Sequence, residues 1–491
     1  MIKVFFLFLA SVLSLFFFLK KDFITVYGDS GFMWLQMMDL IHSGYSTFAF
    51  DYSGKGFDPE GLFLPFLKPF LGEYNGKFYI DFPPYFPLVI SIVRPLTSSN
   101  LSVYLLQAFS LSVSLFFLFR IVFLFTKEIR LSVLSSFGLL LGTTMFTYNM
   151  AIHEYSIAVC LLYTGIFFLL SAMLENRRLL IWAGIFCGIS LFFRLEFIFT
   201  VFAWTSLSFL TGRFKFKELC FYFAPGFLLL LVSLFALNQS IHGHPLGFRY
   251  LLTMNDPITI ENSKLDVVYE TLFGKLRGFF YQSPYLLLFF LFGLFHFGKE
   301  GKWKDYKSNE FLFFTVSILS MSLILFTAPN HGDHLSPRYL FGVYPSFFLF
   351  TALAVKDILK FSGKGKLSAL IVFLLCFGFS VKQLWKTVQF VRESDKTVSL
   401  ISKLILSKPQ DTIVFLETGL PKNLQTYFFE KKQYHVTKEE IGQFLTASQV
   451  DASRVLLVDI EAKDSCFEEI FCRDEESLPN LNFYVAKRNL K

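Results

Sequence analysis

The chain has 491 residues, of which 54% are hydrophobic and only 17% charged, and its mean hydropathy is +0.53. A soluble domain usually carries about 25% charged residues, and 69 phenylalanines, many in runs such as Leu15-Phe16-Phe17-Phe18-Leu19, are more than a soluble core can hide. Disordered, fibrous and disulfide-scaffold classes are excluded, and the formal charge of +7 reads as the cationic bias of cytoplasmic loops rather than as a nucleic-acid surface.

The fold class expected is therefore a polytopic α-helical membrane protein. Crossing the hydrocarbon core takes about 17–25 apolar residues, and the stretches 2–19, 101–125, 131–148, 156–174, 219–240, 311–328, 338–355 and 367–385 qualify, with 284–298 shorter but uniformly apolar. The stretch 179–210 is too long for one crossing and holds Arg194 and Glu196 at its middle. With Lys3 cytoplasmic and 179–210 crossing twice, Lys127, Arg130, Arg177, Arg178, Arg213, Lys215, Lys217, Lys299, Lys302, Lys304, Lys307, Lys356, Lys360, Lys364 and Lys366 all fall in inner loops, while 149–155 and 329–337 carry no Lys or Arg. A single crossing would put every later basic loop outside, against the positive-inside rule. The reading is thus about 11 spans, a cytoplasmic N-terminus and an extracytoplasmic C-terminus. Residues 1–19 read as an uncleaved signal anchor, since no small-x-small site follows. Lys20 and Lys21 then lie outside, a local violation of the charge rule.

Two domains are expected: a membrane domain over 1–385, with a first outer loop at about 20–100 and a second at about 241–283, and an extracytoplasmic α/β tail over 386–491. In the tail, 411–416 and 454–459 read as strands, and 421–430 and 438–447 as helices. Cys160, Cys187, Cys220 and Cys376 read as small apolar residues of spans, and Cys466 and Cys472 as a candidate disulfide.

The first outer loop is dense in Asp, Tyr, Gly and Pro. It opens with Val26-Tyr27-Gly28-Asp29-Ser30-Gly31 before a helical stretch, and closes with Tyr79-Ile80-Asp81-Phe82-Pro83-Pro84-Tyr85-Phe86-Pro87. Asp29 sits where a helix start meets the membrane surface, so its carboxylate is placed either to act as a general base or to cap the following helix. The double proline is first of all a rigid turn aiming 86–97 at the interface.

Five stretches in order resemble the GT-C superfamily of membrane glycosyltransferases, which includes protein O-mannosyltransferases and aminoarabinose transferases. They are Gly28-Asp29-Ser30; Asp81 to Pro87; Gly188-Ile189-Ser190-Leu191-Phe192-Phe193-Arg194-Leu195-Glu196; Leu276-Arg277-Gly278-Phe279-Phe280-Tyr281-Gln282-Ser283-Pro284; and Ser336-Pro337-Arg338-Tyr339-Leu340. The resemblance implies transfer of a sugar from a polyprenyl-phosphate donor to a glycan, lipid or protein acceptor on the extracytoplasmic face of the cytoplasmic (inner) membrane. Asp29 is the catalytic base it implies; where many members have an acidic pair, Ser30 follows here, leaving Asp51, Asp58 and Asp81 as possible second carboxylates. For substrate binding it offers Arg338, Arg277, Arg249 and Arg194, with Asp81, Tyr85, Glu196, His331 and His334. Arg suits a departing phosphate through its fixed donor fork, and Arg338, just before a span in a loop otherwise free of Lys and Arg, is the leading candidate. For Arg194 the alternative is an internal pair with Glu196.

The lipid phosphate is itself the leaving group, so no nucleotide loop is required, and none is present. No cofactor is expected; the intervals among His331, Asp333 and His334, and at His153-Glu154, do not forbid a metal, but polar outer turns with His are usually structural. His242 and His244 read as loop hydrogen-bonding residues. The competing class is a transporter or flippase of envelope lipids, which would show ionisable residues near mid-membrane and internal repeats; beyond Arg194 and Glu196 the spans have almost none, and no repeat is visible. A non-catalytic GT-C relative is the third reading. Membrane lipids are expected partners and nucleic acid is not.

Overall fold

The computed structural model describes residues 1–20, 26, 28–66, 70–255, 263–275, 278–328, 337–360, 363–417, 421, 424, 428–459, 466–467, 471–474 and 481–486. Among them, seven helices are long and apolar enough to cross a membrane: Ile2–Leu19, Leu101–Thr126, Tyr155–Leu174, Phe216–His242, Asn309–Thr327, Arg338–Ile358 and Leu367–Ser407. The chain is a multi-pass membrane protein.

Four further expected spans are shorter helices: Ile129–Gly142, Leu180–Phe193 and Phe197–Leu210, of 14 residues each, and Pro284–Lys299, of 16. At 1.5 Å per residue these run roughly 21–24 Å, less than the roughly 30 Å core. The expected span 131–148 is broken after Gly142, where Thr143 is extended, and resumes as Met145–Asn149. The stretch 179–210 is two helices, not one: Arg194 is extended (φ −145°, ψ 102°) and ends Leu180–Phe193.

Packing divides the chain into two units. One holds Met1–Lys21, Val103–Leu237 and Thr259–Arg392; the other holds Asp22–Ser102, Asn238–Ile258 and Glu393–Lys491.

The first unit is helical. Its phenylalanines meet ring on ring: Phe290 stacks on Phe347 with centroids 4.6 Å apart, and Phe279 stacks on Tyr344 at 5.0 Å. Small residues set the closest approach. A Cβ on Gly165 would lie 2.6 Å from Cys187 Sγ, and one on Gly184 would lie 2.2 Å from the Phe223 carbonyl oxygen. With no hydrophobic drive between helices in lipid, such backbone proximity is what holds spans together. Many serine hydroxyls in these helices bond back to their own helix, as Ser112 does to the Ala108 carbonyl at 2.8 Å, which keeps those hydroxyls paired inside the bilayer.

The second unit joins the first outer loop to the tail. The tail is a six-stranded sheet in the order β4-β3-β5-β8-β7-β6, where β3 is Thr412–Phe415, β4 Lys432–His435, β5 Val455–Asp459, β6 Cys466–Phe467, β7 Phe471–Arg473 and β8 Asn482–Ala486; the loop contributes the hairpin β1 (Leu71–Tyr74) and β2 (Lys77–Ile80). Strand β3 pairs in parallel with β4 and β5, and the other pairs of the sheet are antiparallel. Ile413, Phe415, Leu456, Val458, Leu481 and Phe483 pack on Val398 and Ile405, which lie two helical turns apart on one face of Lys364–Ser407. The expected strands appear, as does the second helix, Ile441–Ser448; the expected helix 421–430 lies largely outside the described residues, and 428–430 form a turn. Register places Cys466 opposite Cys472, and Cys472 is disulfide-bonded, while the four cysteines expected to be apolar fillers are free.

The loop is fastened to the tail by aromatic edges and backbone. Phe63 meets Phe444 at 5.4 Å, Tyr52 meets Tyr434 at 6.2 Å, and the His435 N–H donates to the Phe63 carbonyl at 3.2 Å. Asp58 organises the bend, accepting from Tyr52 Oη at 2.6 Å and from the Leu62 and Phe63 N–H groups at 2.8 Å each. Asp39, in the helix Gly28–His42, is buried, and burial, reinforced by Asp51, pushes its carboxyl well above the usual range. A raised carboxyl favours the fold when protonated, so its contribution falls as pH rises above the ordinary Asp value near 4. Asp39→Asn is accordingly expected to leave the unfolding midpoint at pH 8 unchanged or higher, and to shrink the gain in stability on going from pH 8 to pH 5; thermal unfolding in detergent at both pH values checks it.

Candidate active site

In the helical unit, the hairpin of Tyr155–Leu174 and Leu180–Phe193 brings the residues before the first helix beside those after the second. The small residues Gly165, Ala183 and Cys187 let the two helices close on each other. Glu154, just before the first, therefore meets Arg194, just after the second, in a direct ion pair. Both are buried, at 2% and 6% exposure. The Arg194 guanidinium also lies 3.7 Å from Glu196 and 4.0 Å from the centre of the Tyr155 ring, and Tyr155 Oη donates to Glu196 at 2.8 Å. His153 Nδ1 stands 2.8 Å from Glu154 Oε2, and its backbone carbonyl accepts from Gln107 Nε2 at 2.8 Å.

Burial alone would raise the Glu154 carboxyl, but Arg194 and His153 outweigh it and hold it at about 2. Burial pushes the His153 imidazole below its usual value, against the pull of Glu154 and with help from Arg194 and Arg338. The imidazole is thus neutral at pH 7, its Nδ1 edge turned toward the Glu154 carboxylate.

Arg338 belongs to the same cluster. It is buried at 4% exposure, and its charge acts on His153 and Arg194. The 3-10 segment Arg338–Val343 is fixed by the Tyr163 hydroxyl, which donates to the Phe341 carbonyl at 3.0 Å. Gly342 permits that seat, since a Cβ there would lie 2.8 Å from Thr200 Oγ1, and the Phe341 ring meets Tyr148 and Tyr155 at 5.4 and 5.3 Å.

In the second unit, Gly28 has φ +57°, the left-handed value a glycine allows, and Asp29 follows half-buried in the first turn of Gly28–His42. Its carboxylate there is favoured by the helix dipole. Asp81 is buried, with Oδ2 3.7 Å from Arg249 Nε, and its N–H donates to the Phe70 carbonyl at 3.0 Å. Tyr85, opening the helix Tyr85–Val93 after the double proline, donates to Asn238 Oδ1 at 2.7 Å; Asn238 in turn donates to the Pro245 carbonyl at 2.9 Å.

The sequence-predicted residues thus sort into two groups. Arg194, Glu196 and Arg338 come together in one unit; Asp81 and Arg249 pair in the other, where Asp29 and Tyr85 also lie. Arg277, His331 and His334 lie outside the described residues. Arg194 is paired internally, as the alternative reading had it, though chiefly with Glu154 rather than Glu196. Of the possible second carboxylates, Asp58 is taken up by the loop bend, and Asp51 is exposed. From sequence Glu154 is weighed only beside His153 as a polar outer turn, and Tyr155 has no role; an acidic residue in a Lys/Arg-free turn, matched to a lone Arg inside an apolar stretch, is the signal that finds the pair.

Among the described residues, one group of His and carboxylates is close enough to share a cation: His296, Glu300 and Asp357. The Lys302 ammonium already sits there, 3.1 Å from Glu300, 2.9 Å from Glu310 and 3.8 Å from Asp357, which makes the cluster an ion-pair network.

The helical architecture with a small terminal sheet is shared with a membrane protein of solved structure. The chain is similar to ArnT from Cupriavidus metallidurans, solved bound to undecaprenyl phosphate and in the apo state. Each superposes with a TM-score of 0.54 at 13% identity, covering 92% of this chain and 92% of that chain. No family model matches the sequence, and no curated protein matches it.

Proposed function

We propose that the protein is a membrane glycosyltransferase that moves a hexosyl or pentosyl unit from a polyprenyl-phosphate donor to a cell-envelope glycan, lipid or protein, on the extracytoplasmic face of the cytoplasmic membrane. The observation that carries this is the pair of buried guanidiniums, Arg194 and Arg338, in a chain with the fold of ArnT, a protein solved with undecaprenyl phosphate bound. Buried arginines in a membrane protein mark sites that handle anions or charge.

In this reading Asp29 takes the proton from the acceptor hydroxyl. The acceptor oxygen forms the new bond to the anomeric carbon, and the lipid phosphate leaves with the electron pair of the old one. Arg338 meets the charge that develops on the departing phosphate, where a positioned guanidinium in a dry site is most effective. Arg194 is held in place by Glu154, Glu196 and the Tyr155 ring. Asp81, Arg249 and Tyr85 contribute to substrate binding in the second unit.

The test is donor use. Purified protein in detergent or vesicles, given a polyprenyl-phosphate sugar and envelope acceptors, is expected to release polyprenyl phosphate in step with glycosylated product, and to leave nucleotide sugars untouched when no lipid carrier is present. Direct consumption of a nucleotide sugar would overturn the reading.

A further inference from the structure

We infer that a groove between the helices Pro284–Lys299 and Leu367–Ser407 is the seat of one phospholipid, with an acyl chain in the groove and the lipid phosphate against Lys299. The site does not depend on the donor reading. The groove encloses about 360 Å³ and lies within the helical unit. Tyr285, Phe289 and Phe292 line it from one helix, and Ser368, Ala369 and Val372 from the other. Its walls are held by packing: the Tyr285 hydroxyl donates to the Gly138 carbonyl at 2.9 Å, and the Phe373 ring meets Phe289 at 5.6 Å and Tyr285 at 6.1 Å. The space itself comes from the sequence, because Ser368 and Ala369 line the groove with small side chains between the bulky, exposed Leu367 and Leu370.

What covers this face follows from where it lies. Both walls are apolar helices of a multi-pass membrane protein, and Val372 at the lip is 45% exposed, so the groove opens on bilayer. A second copy of the chain fits it poorly. Helices associate in lipid through small residues that let backbones approach, whereas Leu370, Ile371, Leu374 and Leu375 beside the groove are bulky and exposed. The polyprenyl donor fits poorly too. Ile358 and Ser368, which line the groove, flank the loop of Lys360, Lys364 and Lys366, and the loop charges place that loop in the cytoplasm, opposite the face proposed for transfer.

Lys299 supplies the headgroup contact. It lies seven residues past Phe292, hence on the same face of the helix and about 10 Å along its axis, and it is exposed. Neighbouring cations are already taken, Lys302 by Glu310 at 2.9 Å and Lys360 by Asp357. Lys299 enters no ion pair among the described residues. Basic groups beside grooves between spans on the cytoplasmic side are headgroup sites.

The experiment is native mass spectrometry of the full-length, detergent-purified protein titrated with phosphatidylethanolamine, with phosphatidylglycerol and, separately, with undecaprenyl phosphate. Val372→Trp fills the groove from its exposed lip. It is expected to weaken binding of both phospholipids about 3- to 10-fold, a modest factor because a chain leaving the groove re-enters apolar surroundings and loses only packing contacts. Leu375→Trp adds similar bulk outside the groove, at a position 69% exposed, and is expected to change nothing. Lys299→Gln is expected to cost both phospholipids about 2- to 5-fold, the range of an exposed ion pair, and Lys299→Arg to restore them. Equal phospholipid affinity in the wild type and Val372→Trp would overturn the inference. So would loss of undecaprenyl phosphate alone from Val372→Trp, or a concentration-dependent dimer that Val372→Trp dissolves, which would make the occupant the carrier or a second copy.

Discussion

Asp29→Asn is expected to fold and insert normally and to transfer sugar about 10²–10⁴-fold more slowly. Asn preserves the size and hydrogen-bonding reach of Asp at the start of Gly28–His42, and surrenders only the charge that the helix dipole favours, worth about 0.3–1 kcal/mol. General-base catalysis, by contrast, is worth about 10²–10⁴-fold. The two roles of Asp29 are thus separated by scale: a capping residue would cost the variant a little stability and no rate, a base the reverse. Transfer rates under saturating donor, together with the unfolding midpoint, distinguish them. Unimpaired transfer would place the base elsewhere, with Asp81 the next carboxylate to change.

The second large effect is one of stability. Glu154→Ala removes the main partner of a buried guanidinium, and leaving a buried charge uncompensated costs about 3–5 kcal/mol. Glu196, at 3.7 Å from Arg194, compensates only in part. The control is the double variant Glu154→Ala with Arg194→Leu, which removes both charges and is expected to be more stable than Glu154→Ala alone. A double variant as unstable as the sum of the two single changes would mean that no such coupling exists.

The pH profile gives an independent check. Because Glu154 is held at about 2, below its unfolded value near 4.3, the pair's stabilisation is complete above that value and is lost as pH falls through 2. It is flat between pH 5 and 8. His153, lowered by burial, binds its proton more readily in the unfolded chain, so it lowers stability as pH drops below about 6.5. Glu154→Ala is therefore expected to act almost equally at pH 6 and pH 8.

Much of the fold was legible because lipid enforces long apolar runs and loop charge breaks the remaining ambiguity. The stretch 179–210 shows this: its length and its central Arg194 required a break, and the helix ends at Phe193. The interruption at Thr143 and Thr144 was not legible, since two threonines inside an apolar run have no fixed preference until packing chooses for them. The site was legible in kind and less so in pairing. Arg194 stood out as an ion in an apolar segment, but its obvious partner by sequence was Glu196, two residues on. The nearer one, Glu154, lies 40 positions away, and only the close approach of two helices at Gly165 and Cys187 brings it in. Strand β4 escaped because Lys432-Gln433-Tyr434-His435 is too short an alternation to read, and its strand pairing comes from β3.

The second unit draws on residues 22–102, 238–258 and 393–491, and this has a consequence for biogenesis. Chains are synthesised at about 5–20 residues per second. The first segment is therefore complete roughly 15–60 s before the segment that begins at Glu393 starts to emerge, and for that interval Phe57, Phe63, Tyr52 and the backbone around them lack the sheet and helix that cover them. Pairings so distant in sequence also carry a large loop-closure cost and form slowly. The first loop is thus a part of the nascent chain in need of a holding chaperone, and its final packing waits on residues 393–491.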